Sequence, residues 1–411
     1  MRIFKIILLK FIDIFPYIIF SVPSILILIL ARILKLFIHI RFGKVFSSRI
    51  GHFIFDIEYY LCQKKKFNIK TLDFFYLDNQ GWPLKVRNKF LLKLVKRNIY
   101  SNHIVKYIIY FNKFFPDHIN YEIKLVQDEF KRSIDIKNIV NSSNTQLSFN
   151  DLENNKGKKF LKKFNLKEND KYVCLVVRDS EYLNKEFKGR NWNYHNYRDA
   201  DIKTYFKACI YLANKGYKIF RMGKLVKESI NDIHPNIIDY ANSNYRSDFL
   251  DIWLLSNCYY CLSTNTGLDF VSRNNKIPII STNFLPINDI YSDCNALIAP
   301  KKLYWNETNI SLNLHEMIKY SYGTTDEYIQ KNIRIVDLDE NEILDCVIEM
   351  EKKLNKVKTK NQELQKKSDL FWNVFSKKVY GNYENYTVFK YAEIANFYLN
   401  YVEINNHESQ K

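Results

Sequence analysis

Three arginines stand in the stretches that follow short apolar runs in the second half of this 411-residue chain. Arg178 follows Tyr172–Val177, Arg221 follows Tyr217–Phe220, and Arg246 lies in the loop after Asn236–Tyr240. A fourth apolar run, Tyr259–Leu262, leads into Ser263-Thr264-Asn265-Thr266-Gly267, a turn lined with hydroxyls. Guanidinium groups are planar, permanently charged forks that match phosphate oxygens. Free N–H groups at the start of a helix bind the same anion. One strand-end arginine is an ordinary salt-bridge partner; three on one edge beside such a turn point to a diphosphate site.

The elements that must position these groups follow from the pattern. Short, continuously apolar strands read as members of a sheet buried on both faces. Helical spacing recurs between them, over Ala200–Lys215, Asp248–Ser256, Gly267–Arg273 and Glu340–Leu354. Strand, helix, strand in succession means parallel pairing, and ligands then bind outside the carboxyl ends of the strands. Neither GxxxxGK[ST] nor GxGxxG is present, which argues against NTP hydrolysis and nicotinamide chemistry. Asp337-Leu338-Asp339 has the form of a metal-binding DxD, but it abuts a helix and reads as a cap, so no metal and no cofactor are expected. Asp248 and Asp251 read equally as acids of a helix's first turn.

The first half offers a second alternation of strand (Phe74–Leu77) and helix (Lys85–Val105), with a turn at Asn79-Gln80-Gly81-Trp82-Pro83. Its titratable groups that could serve as a general base are His52, Asp56 and Glu58, just after Arg49-Ile50-Gly51. Gly51-His52 reads equally as a plain turn. Ile14 to Ala31 is a charge-free apolar run flanked by Arg2, Lys5 and Lys10 and by Arg32, Lys35 and Arg41. About 20 apolar residues span a bilayer, so the run is expected to be a kinked membrane helix, or one that dips into a single leaflet, the plainer alternative being a buried core helix. Arg32–Arg49 extends it as a surface for anionic headgroups.

Composition bounds the rest. A net charge of +18 with 47% hydrophobic and 16% aromatic residues excludes disorder and favours anionic partners. The lysines are dispersed and no nucleic-acid reader motif occurs, so nucleic acid is not an expected partner. Seven scattered cysteines with a lone Cys258/Cys261 CxxC point to a reduced compartment rather than zinc. The expected organisation is a membrane-associated segment (1–44), two α/β domains (45–160 and 161–350), and C-terminal helices (351–411). The last helix, Val388–Val402, is expected to pack back on the first domain.

Several strings together resemble a family of bacterial surface-polysaccharide glycosyltransferases. They are Arg49-Ile50-Gly51-His52, Val177–Leu183, Tyr197-Arg198-Asp199-Ala200-Asp201, Arg221-Met222-Gly223, Asp239-Tyr240-Ala241, Tyr245–Asp251 and Ser263–Asp269. The resemblance covers about residues 45–350. It implies a GT-B-like α/β fold, two Rossmann-like domains facing a cleft, with a nucleotide-sugar donor held mainly by the second domain. The donor set it implies is Arg178, Asp179, Arg221, Gly223, Tyr240, Arg246, Ser247, Asp248, Ser263, Thr264, Asn265, Thr266, Gly267 and Asp269. The implied activity is metal-independent transfer of a sugar to a lipid-linked or saccharide acceptor in capsule or O-antigen synthesis, at the cytoplasmic face of the membrane. The rival readings are a non-catalytic sugar-nucleotide or polysaccharide scaffold, and a sugar-nucleotide epimerase on the same fold.

Overall fold

The computed structural model describes residues 14–79, 88–130, 133–135, 137–186, 189, 191–292, 294–380 and 391–404. The turn expected at 80–83 and the start of the final helix at 388–390 lie outside them. The chain forms two compact units: residues 1–134 with 142–148, and residues 135–141 with 149–411.

The first unit is built on a four-stranded parallel sheet: β1 (His39–Phe46), β2 (Thr71–Asp78), β3 (Tyr100–Ser101) and β4 (Glu122–Ile123), in the order β3-β2-β1-β4. β1, the longest-paired strand, occupies the stretch expected to lie on lipid headgroups. Its charge is neutralised inside the sheet. Arg41 sits in register with Asp73 on β2 and bonds both its carboxylate oxygens at 3.0 Å. Burial pushes Asp73 up, but hydrogen bonds from Arg41, Tyr60 and Lys64 outweigh it and hold the group at about 2. Gly43 is required by close approach: a Cβ there would meet the Phe75 ring at 2.8 Å.

Helix α1 (Ser21–Leu34) lies against this sheet, with Leu28 and Ala31 in one cluster with Phe42, Val105, Ile108 and Tyr121. No helix among the described residues is long and apolar enough to cross a membrane. α1 itself has 14 residues, and residues 14–19 form a short helical stretch before it, separated by a turn at Phe20. The expected spanning helix is thus without support among the described residues. Helix α2 (Ile50–Lys66) follows β1, and α3 (Val105–Asn112) packs beside α1.

The second unit carries a seven-stranded parallel sheet. Its strands are β5 (Tyr172–Val176), β6 (Lys218–Arg221), β7 (Ile237–Ile238), β8 (Tyr260–Ser263), β9 (Ile279–Phe284), β10 (Ala296–Pro300) and a last one, Glu393–Ile394. The order runs β7-β6-β5-β8-β9-β10 and ends on Glu393–Ile394. This is the doubly wound order, with the chain reversing direction across the sheet between β5 and β8. Helix α4 (Asp151–Lys162) begins in a capping box made by Asn150 and Glu153. It is held close to Trp253, whose indole lies 2.1 Å from where a Cβ on Gly157 would be. Ile333–Val336 does not complete the parallel sheet; it pairs antiparallel with Lys302–Trp305. The final helix is Asn396–Tyr401, and its neighbours include Glu340–Leu354 and Gln362–Phe375 of its own unit.

Candidate functional site

Ligands of doubly wound sheets sit in the crevice beyond the strand ends where the winding reverses. In the second unit that crevice lies between the loops after β5 and β8. They are tied together directly: the Arg178 N–H donates to Thr264 Oγ1 at 2.8 Å, and the Thr264 N–H to the Val176 carbonyl at 3.0 Å. Arg178 Nε bonds Asp199 Oδ1 at 3.0 Å, and Arg198 Nη2 bonds the Asn265 carbonyl at 3.1 Å. Lys301, immediately after β10, is buried; it pairs with Asp337 at 2.7 Å and donates to the Asp199 carbonyl. Burial lowers the pKa of Arg178, as does the adjacent Arg198 charge. Burial likewise lowers Lys301, with Arg178 among its neighbours, and pushes Asp199 up. Three partly desolvated cations thus share two carboxylates at one strand-end crevice, an arrangement that favours an incoming anion.

The remaining expected donor residues divide by what holds them. Arg221 is fully buried and bonds Asp239 at 3.1 Å, so its charge belongs to the interior. Burial raises Asp239, but bonds from Asn242, the Ile230 N–H and Arg221 together hold it below the usual range. Arg246 is engaged by Asp251 at 2.5 Å and by Asp248 at 3.6 Å. Burial pushes Asp251 up to about 6 despite that cation. Tyr240 is buried and donates to Asp251 at 2.9 Å. Ser247 caps the helix Asp248–Asn257, with Asp248 in its first turn. Asp179 accepts from the Glu181 and Lys227 N–H groups, each at 2.9 Å. Gly223 adopts φ +149, and a Cβ there would meet Val226 at 2.7 Å. These groups shape the loops.

The Ser263–Gly267 turn differs from expectation in kind. The helix after it, Phe270–Asn274, is a five-residue turn. The turn's donors are drawn inward: Ser263 Oγ and the Thr266 N–H both bond Asp269 Oδ2, at 2.6 and 2.9 Å. Burial raises Asp269 to about 6. Asn265, at φ +58, and exposed Gly267 form the outer part of the loop. Positive charge at this crevice therefore comes from side chains rather than from a helix end. Arg198 and Lys301 were missing from the expected set. Arg198 is signalled by its place beside Asp199, whereas Lys301 owes its place to β10, a five-residue strand with little sequence signal of its own.

The first unit has the same local winding, with β1 between β2 and β4, and a cavity of about 250 Å³ beyond those strand ends. Lys44, Phe46, Asp56, Asp78, Gln127 and Asp128 line it. Lys44 pairs with Asp128 at 3.1 Å. Asp56 is buried and raised to about 8, chiefly by desolvation. Ser133 Oγ donates to Asp56 Oδ1 at 2.8 Å and lies 2.7 Å from His52 Nδ1. His52 opens α2, stacked on Phe46, and burial with Arg49 nearby lowers it to about 4. It is therefore neutral near pH 7. Glu58 is fully buried and accepts the Gln146 and Leu147 N–H groups at 2.6 and 2.9 Å, a loop anchor away from the cavity lining.

Asp339 caps Glu340–Leu354 while Asp337 holds Lys301, so the DxD is divided between structure and the cation cluster. No cluster of three metal-ligating side chains occurs among the described residues. All seven cysteines are buried thiols outside any disulfide.

No protein-family model matches the chain, and no curated protein matches it in sequence. Among solved structures it is similar to the glycosyl transferase family 9 protein from Veillonella parvula. That match has 9% identity and a TM-score of 0.40, and covers 64% of this chain and 86% of that one. It is also similar to E. coli ADP-heptose LPS heptosyltransferase II, at 11% identity and a TM-score of 0.35, covering 63% and 90%.

Proposed function

We propose that the protein is a glycosyltransferase that moves a sugar from a nucleoside-diphosphate donor to a hydroxyl of a lipid-linked or saccharide acceptor. The observation that carries this reading is the gathering of Arg178, Arg198 and Lys301 at the winding reversal of the second sheet. The bond between the anomeric carbon and the diphosphate oxygen breaks, and that oxygen gains negative charge. Preorganised cations in a partly desolvated crevice stabilise that charge without reorganising at the moment of reaction. Asp56 takes the acceptor proton. A carboxylate raised to about 8 is a stronger base than an exposed one, and near its pKa both protonation states are available. Ser133 and His52 hold its position.

The test is thermal stabilisation by a panel of nucleoside diphosphates and their sugar conjugates, followed by turnover of a radiolabelled donor. One nucleotide class is expected to raise the melting temperature, and Arg178→Ala is expected to abolish that shift while leaving the unliganded transition in place. Label is expected in a lipid or saccharide product. Binding without product favours the scaffold, and an isomerised donor in solution the epimerase. No stabilisation by any nucleotide, or an undiminished shift in Arg178→Ala, would sink the assignment.

A further inference from the structure

The first unit carries an apolar face that its own core leaves uncovered. Along α1 the stripe Val22, Leu26, Ile29 and Ile33 recurs every three or four residues and faces outward; Val22 and Leu26 are 64% and 61% exposed. Beyond the helix, Leu36 and Phe37 are 87% and 86% exposed. The opposite side is different in kind. Ser24, Leu28 and Ala31 are buried at i, i+4 and i+7, so two small residues and one leucine bring the helix close to its unit. Arg32 then fastens the helix end. It bonds Asp117 and Asn112 and lies 4.1 and 4.3 Å from the Phe115 and Tyr121 rings. A helix held this firmly on one side, and apolar on both, needs a partner for the other.

Charge around the face identifies the partner. No acidic residue occurs between Ile14 and Phe55, or between Asn79 and Pro116. Lys35 and Lys113 are exposed at its border, and Lys106 lies 5.5 Å from the Tyr17 ring. Exposed Tyr110 and Phe114 continue the apolar surface from α3. Soluble surfaces rarely leave so large a contiguous apolar patch bare. An apolar stripe bordered by lysines and aromatic rings fits the headgroup–acyl boundary of an anionic bilayer.

We propose that this face docks the protein in the plane of one leaflet of an anionic membrane, with α1 lying along the surface. One side of the helix is already occupied by its own sheet, which excludes a lipid-surrounded span. The inference stands apart from the sugar-transfer reading, since vesicle binding is measured without donor or acceptor.

The test is flotation of the full-length protein with phosphatidylcholine vesicles, with and without phosphatidylglycerol. Binding is expected to rise at least tenfold with the anionic lipid and to fall as salt is raised, the Debye length shrinking from about 10 Å at 0.1 M to 3 Å at 1 M. Val22→Glu with Leu26→Glu is expected to abolish binding at an unchanged melting temperature, both side chains being exposed. Lys35→Glu with Lys113→Glu, which leaves the stripe intact, is expected to remove the preference for anionic vesicles. Absence of vesicle binding by the unmodified protein, or equal binding by the Val22/Leu26 variant, overturns the proposal. So does a concentration-dependent dimer that this variant dissolves without any vesicle binding, which would assign the face to a second copy.

Discussion

The two strand-end crevices share a winding and differ in charge. In the first unit β1 stands between β2 and β4, and the space beyond their ends is lined by Asp56, Asp78 and Asp128 against Lys44. In the second, the crevice beside β5 and β8 gathers Arg178, Arg198 and Lys301. One topology thus gathers carboxylates in one place and cations in the other. Topology decides where a ligand lies, and the residues in the loops decide which one. Position at a strand end does not by itself set an arginine's surroundings either. Arg178 follows β5 and Arg221 ends β6, and each meets an aspartate, yet Arg221 is fully buried against Asp239 while Arg178 keeps partial exposure beside Asp199.

The largest effect is expected where that distinction is sharpest. Arg221→Met leaves the Asp239 carboxylate buried without its cation and is expected to cost about 3–5 kcal/mol in a denaturant titration. A loss of nucleotide affinity at unchanged stability would instead make Arg221 part of the receptor. Arg178→Ala is expected to lower turnover by roughly 10²–10³-fold, the scale for removing one transition-state donor, with the melting temperature shifting little.

On the acidic side, Asp56→Asn is expected to lower turnover by about 10²-fold or more while nucleotide affinity stays unchanged. Weakened nucleotide binding in that variant would dissolve the division of labour between the crevices.

The same carboxyl makes a pH statement. Its folded pKa is about 8, above the ordinary carboxylate value. The folded state therefore binds more protons between roughly pH 4 and 8, and its contribution to stability, full below pH 4, is lost as the pH rises through 8. Turnover is expected to rise over the same upper limb as the base ionises. Both trends should flatten in Asp56→Asn, and an unchanged profile there would place the titration elsewhere. The smallest effect is expected for His52→Ala, a few-fold loss of turnover with the pH profile shifted, because the imidazole acts through Ser133 rather than on the proton itself.

Legibility in the sequence followed locality. The strands β5, β6 and β8 could be read because buried parallel strands are short unbroken apolar runs, and the residues at their ends follow by counting. Asn150 with Glu153 and Asp339 with Glu342 are capping pairs three residues apart. β1 was hidden because Arg41 and Lys44 interrupt it, and the Asp73 carboxylate that lets Arg41 lie in a sheet comes 32 residues later. α1 misled for the opposite reason. Its apolar run is uniform in sequence, and only packing separates the face bearing Leu28 from the face bearing Leu26.

By itself the sequence determined the parallel α/β class, the edge on which the arginines fall and the strength of the apolar leader, since each depends on residues a few positions apart. Tertiary structure decided which arginines keep partial exposure, that Lys301 comes to lie beside Asp199, and that Glu58 anchors a loop while Asp56 faces a cavity. Those outcomes turn on the partner that reaches each charge from a distant segment. In a desolvated interior, that partner sets whether a charged group is neutralised in place or left to meet a ligand.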